Sequence, residues 1–192
     1  MNQYLSIFLK SMLVDNVVLI QYLAICPFIG MTSDTGKATG MGIATTFVII
    51  LATAVTYPLF YSVLVPLKLQ FLETLVFILV IAALVQLVEF YLKKSIPGLY
   101  SAMGVYLALI TTNCAVLGTT LNCISKNYNY VQSLVYAAGT ACGFLLAMTV
   151  MSGVRERISS STVPKFLQGK AILFITAGLL SLSFLGFSGL IK

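Results

Sequence analysis

Cys26-Pro27-Phe28-Ile29-Gly30 returns 88 positions later as Cys114-Ala115-Val116-Leu117-Gly118. Each copy lies in an apolar stretch, one in either half of a 192-residue chain. Two thiols delivered from matching places amount to half of a metal site, which points to electron transfer before solute carriage. Pro27 cannot donate a backbone hydrogen bond, and Gly30 and Gly118 permit sharp turns. Thr111-Thr112-Asn113 sets three polar side chains directly before Cys114. These features predict two interrupted membrane helices, which survive in lipid only where protein or water satisfies the freed backbone groups.

The chain is 59% hydrophobic with a mean hydropathy of +1.03, and 8% of its residues are charged. A soluble domain of this length needs far more polar surface, so composition predicts an integral membrane protein. A net charge of +6 would suggest nucleic acid for a soluble chain. Here Lys and Arg fall between apolar segments, where they orient the chain in a bilayer, and no nucleic-acid partner is expected. The first apolar segment lacks a basic n-region and a small-residue cleavage site, so no cleavable signal peptide is expected. With no His, the chain has no imidazole ligand, imidazole base or axial haem histidine. Four cysteines within or beside apolar segments make a poor disulfide framework. No Gly-rich phosphate loop, nucleophile elbow or zinc spacing occurs.

Apolar runs able to cross ~30 Å of hydrocarbon lie near residues 4–25, 39–62, 70–92, 98–117, 130–152 and 170–190. Their continuous apolar character favours helices over a transmembrane barrel. The expected fold is therefore all-α: a polytopic membrane protein of six transmembrane helices forming a single membrane domain over 1–192. Lys37, Lys93, Lys94, Arg155, Arg157, Lys165 and Lys170 lie in the first, third and fifth loops. Lys68, Lys126 and Lys192 alone mark the other loops and the C-terminus. The positive-inside rule then puts both termini outside.

The halves align by eye. Phe47, Phe77 and Phe90 match Phe144, Phe174 and Phe187 at a constant shift of 97. The nine residues beyond the earlier shift of 88 fit an insertion in the fourth loop, around Thr119–Asn129. Repeat 1 spans about 1–96 and repeat 2 about 97–192. Three helices per repeat is an odd number, so the repeats are inverted, an arrangement that places the functional site near mid-membrane on broken helices. A straight helix from Tyr4 to Cys26 would cover roughly 33 Å and carry the thiol to the cytoplasmic face. Helices 1 and 4 are accordingly expected to break near mid-membrane, at Ile25–Pro27 and Thr112–Cys114.

Iron–sulfur clusters usually take four thiolates, and Cys26 with Cys114 supplies two. A membrane cysteine is most often a small apolar filler; repeat symmetry sets these two apart. Cys123, in the inserted loop, and Cys142, within the small-residue stretch Gly139–Gly143, keep the filler reading. Intramembrane polar groups are functional candidates, so Asp15, Asn16 and Glu89 are candidates for an ion path, or for pairing within the bundle. Glu156, between Arg155 and Arg157, reads as a salt-bridged docking surface, and Glu73 as interfacial. Gly36-x-x-x-Gly40 and Gly139-x-x-x-Gly143 are packing motifs of low specificity.

Ile25-Cys26-Pro27-Phe28, Leu109-Ile110-Thr111-Thr112-Asn113-Cys114-Ala115, Arg155-Glu156-Arg157 and Ile175-Thr176-Ala177-Gly178-Leu179 together resemble the RnfA family of Rnf-complex membrane subunits. The resemblance covers essentially the whole chain, and Thr-Thr-Asn-Cys-Ala is its most specific part. The NqrE-type subunits of the sodium-pumping NADH:quinone reductase are similar in plan; Pro27 favours the Rnf branch. The resemblance implies pairing with a homologous RnfE-like subunit of opposite orientation. It also implies one [2Fe-2S] cluster shared between the two, held here by Cys26 and Cys114, with the other two thiolates from the partner. Such complexes move electrons between ferredoxin and NAD in the prokaryotic cytoplasmic membrane and couple this to Na+ or H+ export. Flavins and further clusters then reside on RnfB-, RnfC-, RnfD- and RnfG-like partners. An enzyme is thus implied only at the level of the complex. Two alternatives stand beside this one. A secondary transporter would bind an ion or solute through Asp15, Asn16 and Thr111–Asn113, and a structural anchor would tolerate loss of either thiol.

Overall fold

The computed structural model describes residues 3–67, 72–95, 109–159 and 169–186, and the regular structure among them is helical. α1 (Gln3–Leu9) widens into a π-helical stretch, Lys10–Val14, that closes with the Asp15 N–H donating to the Lys10 carbonyl. Residues 15–24 leave the helical path, and α2 (Ile25–Met31) resumes it. α3 (Thr35–Leu59) opens where the Asp34 carboxylate accepts from the Gly36 N–H. Pro58 lacks the N–H that the Ala54 carbonyl would receive, and the helix loosens into a second π-helical turn, Phe60–Leu64, before Val65–Leu67. α4 (Glu73–Ser95), α5 (Cys114–Ser125), α6 (Tyr130–Ser159) and α7 (Lys170–Leu185) follow.

Three of the described helical stretches are long and apolar enough to cross a membrane: Thr35–Leu64, Glu73–Phe90 and Tyr130–Ser159. They correspond to expected spans two, three and five. Gln3–Val14, Leu109–Ser125 and Lys170–Leu185 are shorter apolar helices. Gln3–Val14 ends at a break, and Leu109–Ser125 contains one at Thr112–Asn113, as their sequence foretells. The start of the fourth expected span (98–108), the end of the sixth, Phe187, Lys68, Lys165 and Lys192 lie outside the described residues.

Two expectations need correction in position. Ile25–Pro27 is not the break but the first turn of α2; the non-helical backbone lies just before it, at 15–24. Proline causes no break there because the first N–H groups of a helix have no intrahelical acceptor, so Pro27 loses nothing. Nor is Thr119–Asn129 wholly a loop. α5 continues to Ser125, and its twelve residues against the seven of α2 absorb part of the insertion in regular helix. Cys123 is consequently a buried helical residue whose thiol donates to the Ser133 carbonyl at 3.8 Å.

α3 and α6 form the central antiparallel pair. Thr35 meets Ser152, Gly42 meets Leu145 and Tyr57 meets Tyr130, and each pair of numbers sums to 187. α1 runs parallel to α6. A Cβ at Gly139 would strike Phe8 and Ser11, and one at Gly143 would strike Met12. Gly139-x-x-x-Gly143 is therefore a working packing motif, whereas added Cβ atoms at Gly30 and Gly40 meet nothing within 4 Å. Buried hydroxyls return their hydrogen bonds to the preceding turn, as in Thr53 to Ile49, Thr56 to Ala52, Thr119 to Ala115 and Thr140 to Tyr136. That local satisfaction is what permits them among apolar neighbours.

Candidate functional site

Both cysteines of the repeated motif stand where a broken helix restarts. Cys26 is the second residue of α2 and Cys114 the first of α5. Each is exposed and is followed by two buried residues, Pro27-Phe28 in one copy and Ala115-Val116 in the other. The match of motif thus extends to a match of burial. The two restarts also touch. An added Cβ at Gly118 would lie 2.5 Å from Leu23 Cδ1, and Ala24 and Phe28 share one buried cluster with Ala115. Phe144, Ala147 and Met148 belong to the same cluster, and the midpoint of α6 falls between Phe144 and Leu145. The restarts that carry the cysteines therefore pack against the central turns of the longest described helix.

The two breaks are held open differently. Asn113 caps α5 by accepting from the Ala115 N–H at 3.1 Å, which satisfies a donor that a helix start leaves orphaned. Ala24 caps α2 with no side-chain bond and a left-handed backbone (φ 64°), and Tyr22 shares that conformation (φ 55°). For residues with a Cβ this geometry costs on the order of 1 kcal/mol or more each, so the surroundings must enforce it. Asn16 does much of this. Its amide donates to the Gly143 carbonyl at 3.0 Å and the Met12 carbonyl at 3.3 Å, while its oxygen accepts from the Val18 and Leu19 N–H groups. Ser181 of α7 donates to the Leu19 carbonyl and accepts from Tyr22 Oη. Gln21 accepts from Asn122 of α5 at 3.0 Å.

Asp15 is paired. Its carboxylate lies 2.6 Å from Lys126 Nζ, and the ammonium sits 4.8 Å from the centre of the Tyr136 ring. Burial pulls the Lys126 pKa down, but the hydrogen bond to Asp15 and the fields of Tyr136, Asp15 and Tyr128 outweigh it and leave that pKa raised. Asn16 is fully buried and committed to backbone. Glu89 lies half-buried on α4, apart from these groups in the chain. The structure thus gathers Asp15 and Asn16 at the first break, with Lys126 as a partner that sequence reading took only for an orientation marker.

At the other end of α2, Arg155 Nη1 donates to the Ile29 carbonyl at 2.9 Å and to Thr32 Oγ1 at 3.3 Å. Beside it opens a polar depression of about 450 Å³ lined by Asp34, Thr35, Ser152 and Glu156. Arg155 belongs to the quoted Arg-Glu-Arg motif, yet no local signal in the sequence shows that its partner is a backbone carbonyl 126 residues away.

Among the described residues no group of three or more His, Cys, Asp or Glu side chains converges on a metal position. Cys26 and Cys114, both exposed, are two thiols against the four that an iron–sulfur cluster usually takes.

The chain matches the family described as "Rnf-Nqr subunit, membrane protein" over residues 4–191. It is 52% identical over 184 residues to a subunit of the Na(+)-translocating ferredoxin:NAD(+) oxidoreductase complex of Acetobacterium woodii, covering 96% of each chain. It is 46% identical, over the full length of both chains, to the corresponding subunit of the ion-translocating oxidoreductase complex of Aeromonas salmonicida. The same-named subunit of Azoarcus sp. is 48% identical over 190 residues, 99% of this chain and 98% of that one. The paired thiols at two helix restarts thus occur in a chain that belongs to the Rnf-Nqr family of membrane subunits.

Proposed function

We propose that this chain is the RnfA-type membrane component of an ion-translocating ferredoxin:NAD oxidoreductase complex, and that Cys26 and Cys114 give two of the four thiolates of a [2Fe-2S] cluster shared with a homologous subunit. The observation that carries the reading is the packing together of two helix restarts, each of which bears an exposed cysteine. The identity to oxidoreductase subunits over 96–100% of the chain supports the complex. A [2Fe-2S] cluster bound there supplies a one-electron carrier. The chain's own contribution is to present two soft ligands from rigid, buried helix starts and to exclude water behind them with Phe28, Ala115 and Phe144.

The proposed partner is a homologous RnfE-like subunit of opposite orientation, and the proposed internal architecture is an inverted repeat. The antiparallel pairing of α3 with α6, the second helix of each expected repeat, is the contact such a repeat would place on its axis. The proposed setting is the prokaryotic cytoplasmic membrane, with both termini outside and flavins on other subunits. An ion path through Asp15, Asn16 and Glu89 belongs to this proposal as its second element. Asp15 already holds an ion pair and Asn16 has its polar atoms engaged, so an ion at the first break, whether on that path or in a transporter site, would have to displace Lys126. The direct test is a spectrum of this chain co-purified with its homologous partner, together with iron and labile-sulfide content. A reducible [2Fe-2S] signal is expected; a pair free of iron and sulfide overturns the assignment.

A further inference from the structure

Arg155 holds the helix that carries Cys26. α2 has seven residues, far below the length at which a helix stands alone in solution. Its start is capped by no side chain, and its last four carbonyls lack intrahelical donors. Two of those four are met by side chains. Thr32 Oγ1 donates to the Phe28 carbonyl at 2.7 Å, and Arg155 Nη1 donates to the Ile29 carbonyl at 2.9 Å. The same Arg155 nitrogen reaches Thr32 Oγ1 at 3.3 Å, so hydroxyl and guanidinium form one connected clamp. Arg155 comes from α6, whose Phe144, Ala147 and Met148 back the cysteine-bearing restarts. The guanidinium therefore ties the far end of α2 to the helix that backs its near end. A positive charge at a helix C-terminus also favours the helical form through the macrodipole.

We infer that Arg155 is a positioning residue for the redox site: acting through the Ile29 carbonyl and Thr32, it fixes the axial position and tilt of α2 and so sets where Cys26 presents its thiolate. The inference rests on the reading of Cys26 as a cluster ligand. It departs from the expectation that the Arg155-Glu156-Arg157 stretch serves only as an exposed docking surface. Arg155 reaches inward to the backbone of another element; both contacts leave one nitrogen, Nη1, held at the end of a planar guanidinium, which a lysine's flexible ammonium places less precisely.

The test uses the purified complex containing this chain, with Arg155→Gln, Arg155→Lys, Thr32→Val and, as control, the exposed Lys37→Gln. The readouts are the line shape, reduction potential and occupancy of the [2Fe-2S] signal, with ferredoxin-to-NAD flux alongside. Groups that orient a ligand without touching the metal contribute on the order of 10–100-fold to metal affinity or activity. A loss of that size in occupancy or flux, with an altered line shape, is expected for R155Q. R155K should restore part of it, because it returns the charge and a donor on a more flexible stem. T32V should shift the spectrum in the same direction as R155Q, and K37Q should match the unaltered complex. An unaltered line shape, potential and occupancy in both R155Q and T32V overturns the inference. Where R155Q fails to assemble, the near-isosteric T32V decides, and an unchanged spectrum there overturns it. Failure of the underlying reading looks different: the unaltered complex lacks the signal, or Cys26→Ser retains it.

Discussion

Cys26→Ser and Cys114→Ser exchange a soft ligand for a hydroxyl of similar size at exposed positions, so the fold should survive while the [2Fe-2S] signal disappears. Cys142→Ser should leave the signal intact, and so should Cys123→Ser, where a hydroxyl still donates to the Ser133 carbonyl. Loss of the signal in Cys123→Ser with retention in Cys26→Ser would reverse the ligand assignment. The ion pair at the first break makes a separate prediction. Lys126→Gln removes a partly exposed bridge worth about 1 kcal/mol and should lower the melting temperature of the solubilised chain by a few degrees. The raised Lys126 pKa gives the pH dependence its sign. The folded state binds that proton more tightly, so the bridge's stabilisation is fully present below the ordinary lysine pKa of ~10.5 and is lost as pH rises through the higher folded value. The difference between the unaltered chain and Lys126→Gln should therefore stay flat from pH 6 to 9 and shrink only in stronger base, as thermal melts across that range would record.

Glycines at the element scale separate two kinds of contact. A methyl at Gly139 meets the Phe8 carbonyl at 2.8 Å as well as Ser11 Oγ, so part of the neighbouring backbone must move. Gly139→Ala should cost about 1–3 kcal/mol and loosen α1 from α6, measurable as faster proteolysis near the N-terminus. At Gly118 the obstacle is Leu23 Cδ1, the far end of a flexible side chain that can turn aside. Gly118→Ala should cost less than about 1 kcal/mol. If both variants behave alike, the close approach of α1 to α6 is wrong. The seven-residue α2 depends on neighbours at both ends, with strained backbone at Ala24 before it and side-chain donors from Thr32 and Arg155 after it.

For the whole molecule, direction is the testable property. Phe8 and Met12 pair with Gly139 and Gly143 in rising order, while Thr35, Gly42 and Tyr57 pair with α6 in falling order. Span one therefore points the same way as span five, and span two the opposite way, as an alternating six-span chain requires. Tags at either terminus should be reached from outside the cell, and a label at Lys94 only from the cytoplasm. Cytoplasmic access to the C-terminus would overturn the inverted count. Gly30 tests the partner's face. It lies one turn beyond Cys26, exposed and with open space where a Cβ would go. Gly30→Phe should leave this chain folded yet reduce recovery of the homologous subunit on co-purification; undiminished recovery would place the partner elsewhere.

Hydropathy is a local property, and it suffices for the spans: Thr35–Leu64, Glu73–Phe90 and Tyr130–Ser159 fall where apolar runs fall. The interruption before Cys114 was likewise legible, because a Thr-Thr-Asn stretch inside an apolar run competes with unbroken helix, and an interruption of helix 1 was expected, though at Ile25–Pro27. What local pattern could not decide was where the first helix leaves its path. Pro27 marks a restart rather than a break, since proline is harmless in a first turn, and the departure at Asp15 depends on Asn16 finding the Gly143 carbonyl. Cys123 lay beyond sequence reading for a related reason: whether twelve residues extend a helix or form a loop is settled by what packs around Val116, Thr119 and Cys123. The partners of the long charged side chains were the least legible. Lys126 meets Asp15 across 111 residues, and Arg155 meets Ile29 across 126. Those meetings depend on the crossing of helices, a tertiary quantity that no single segment encodes.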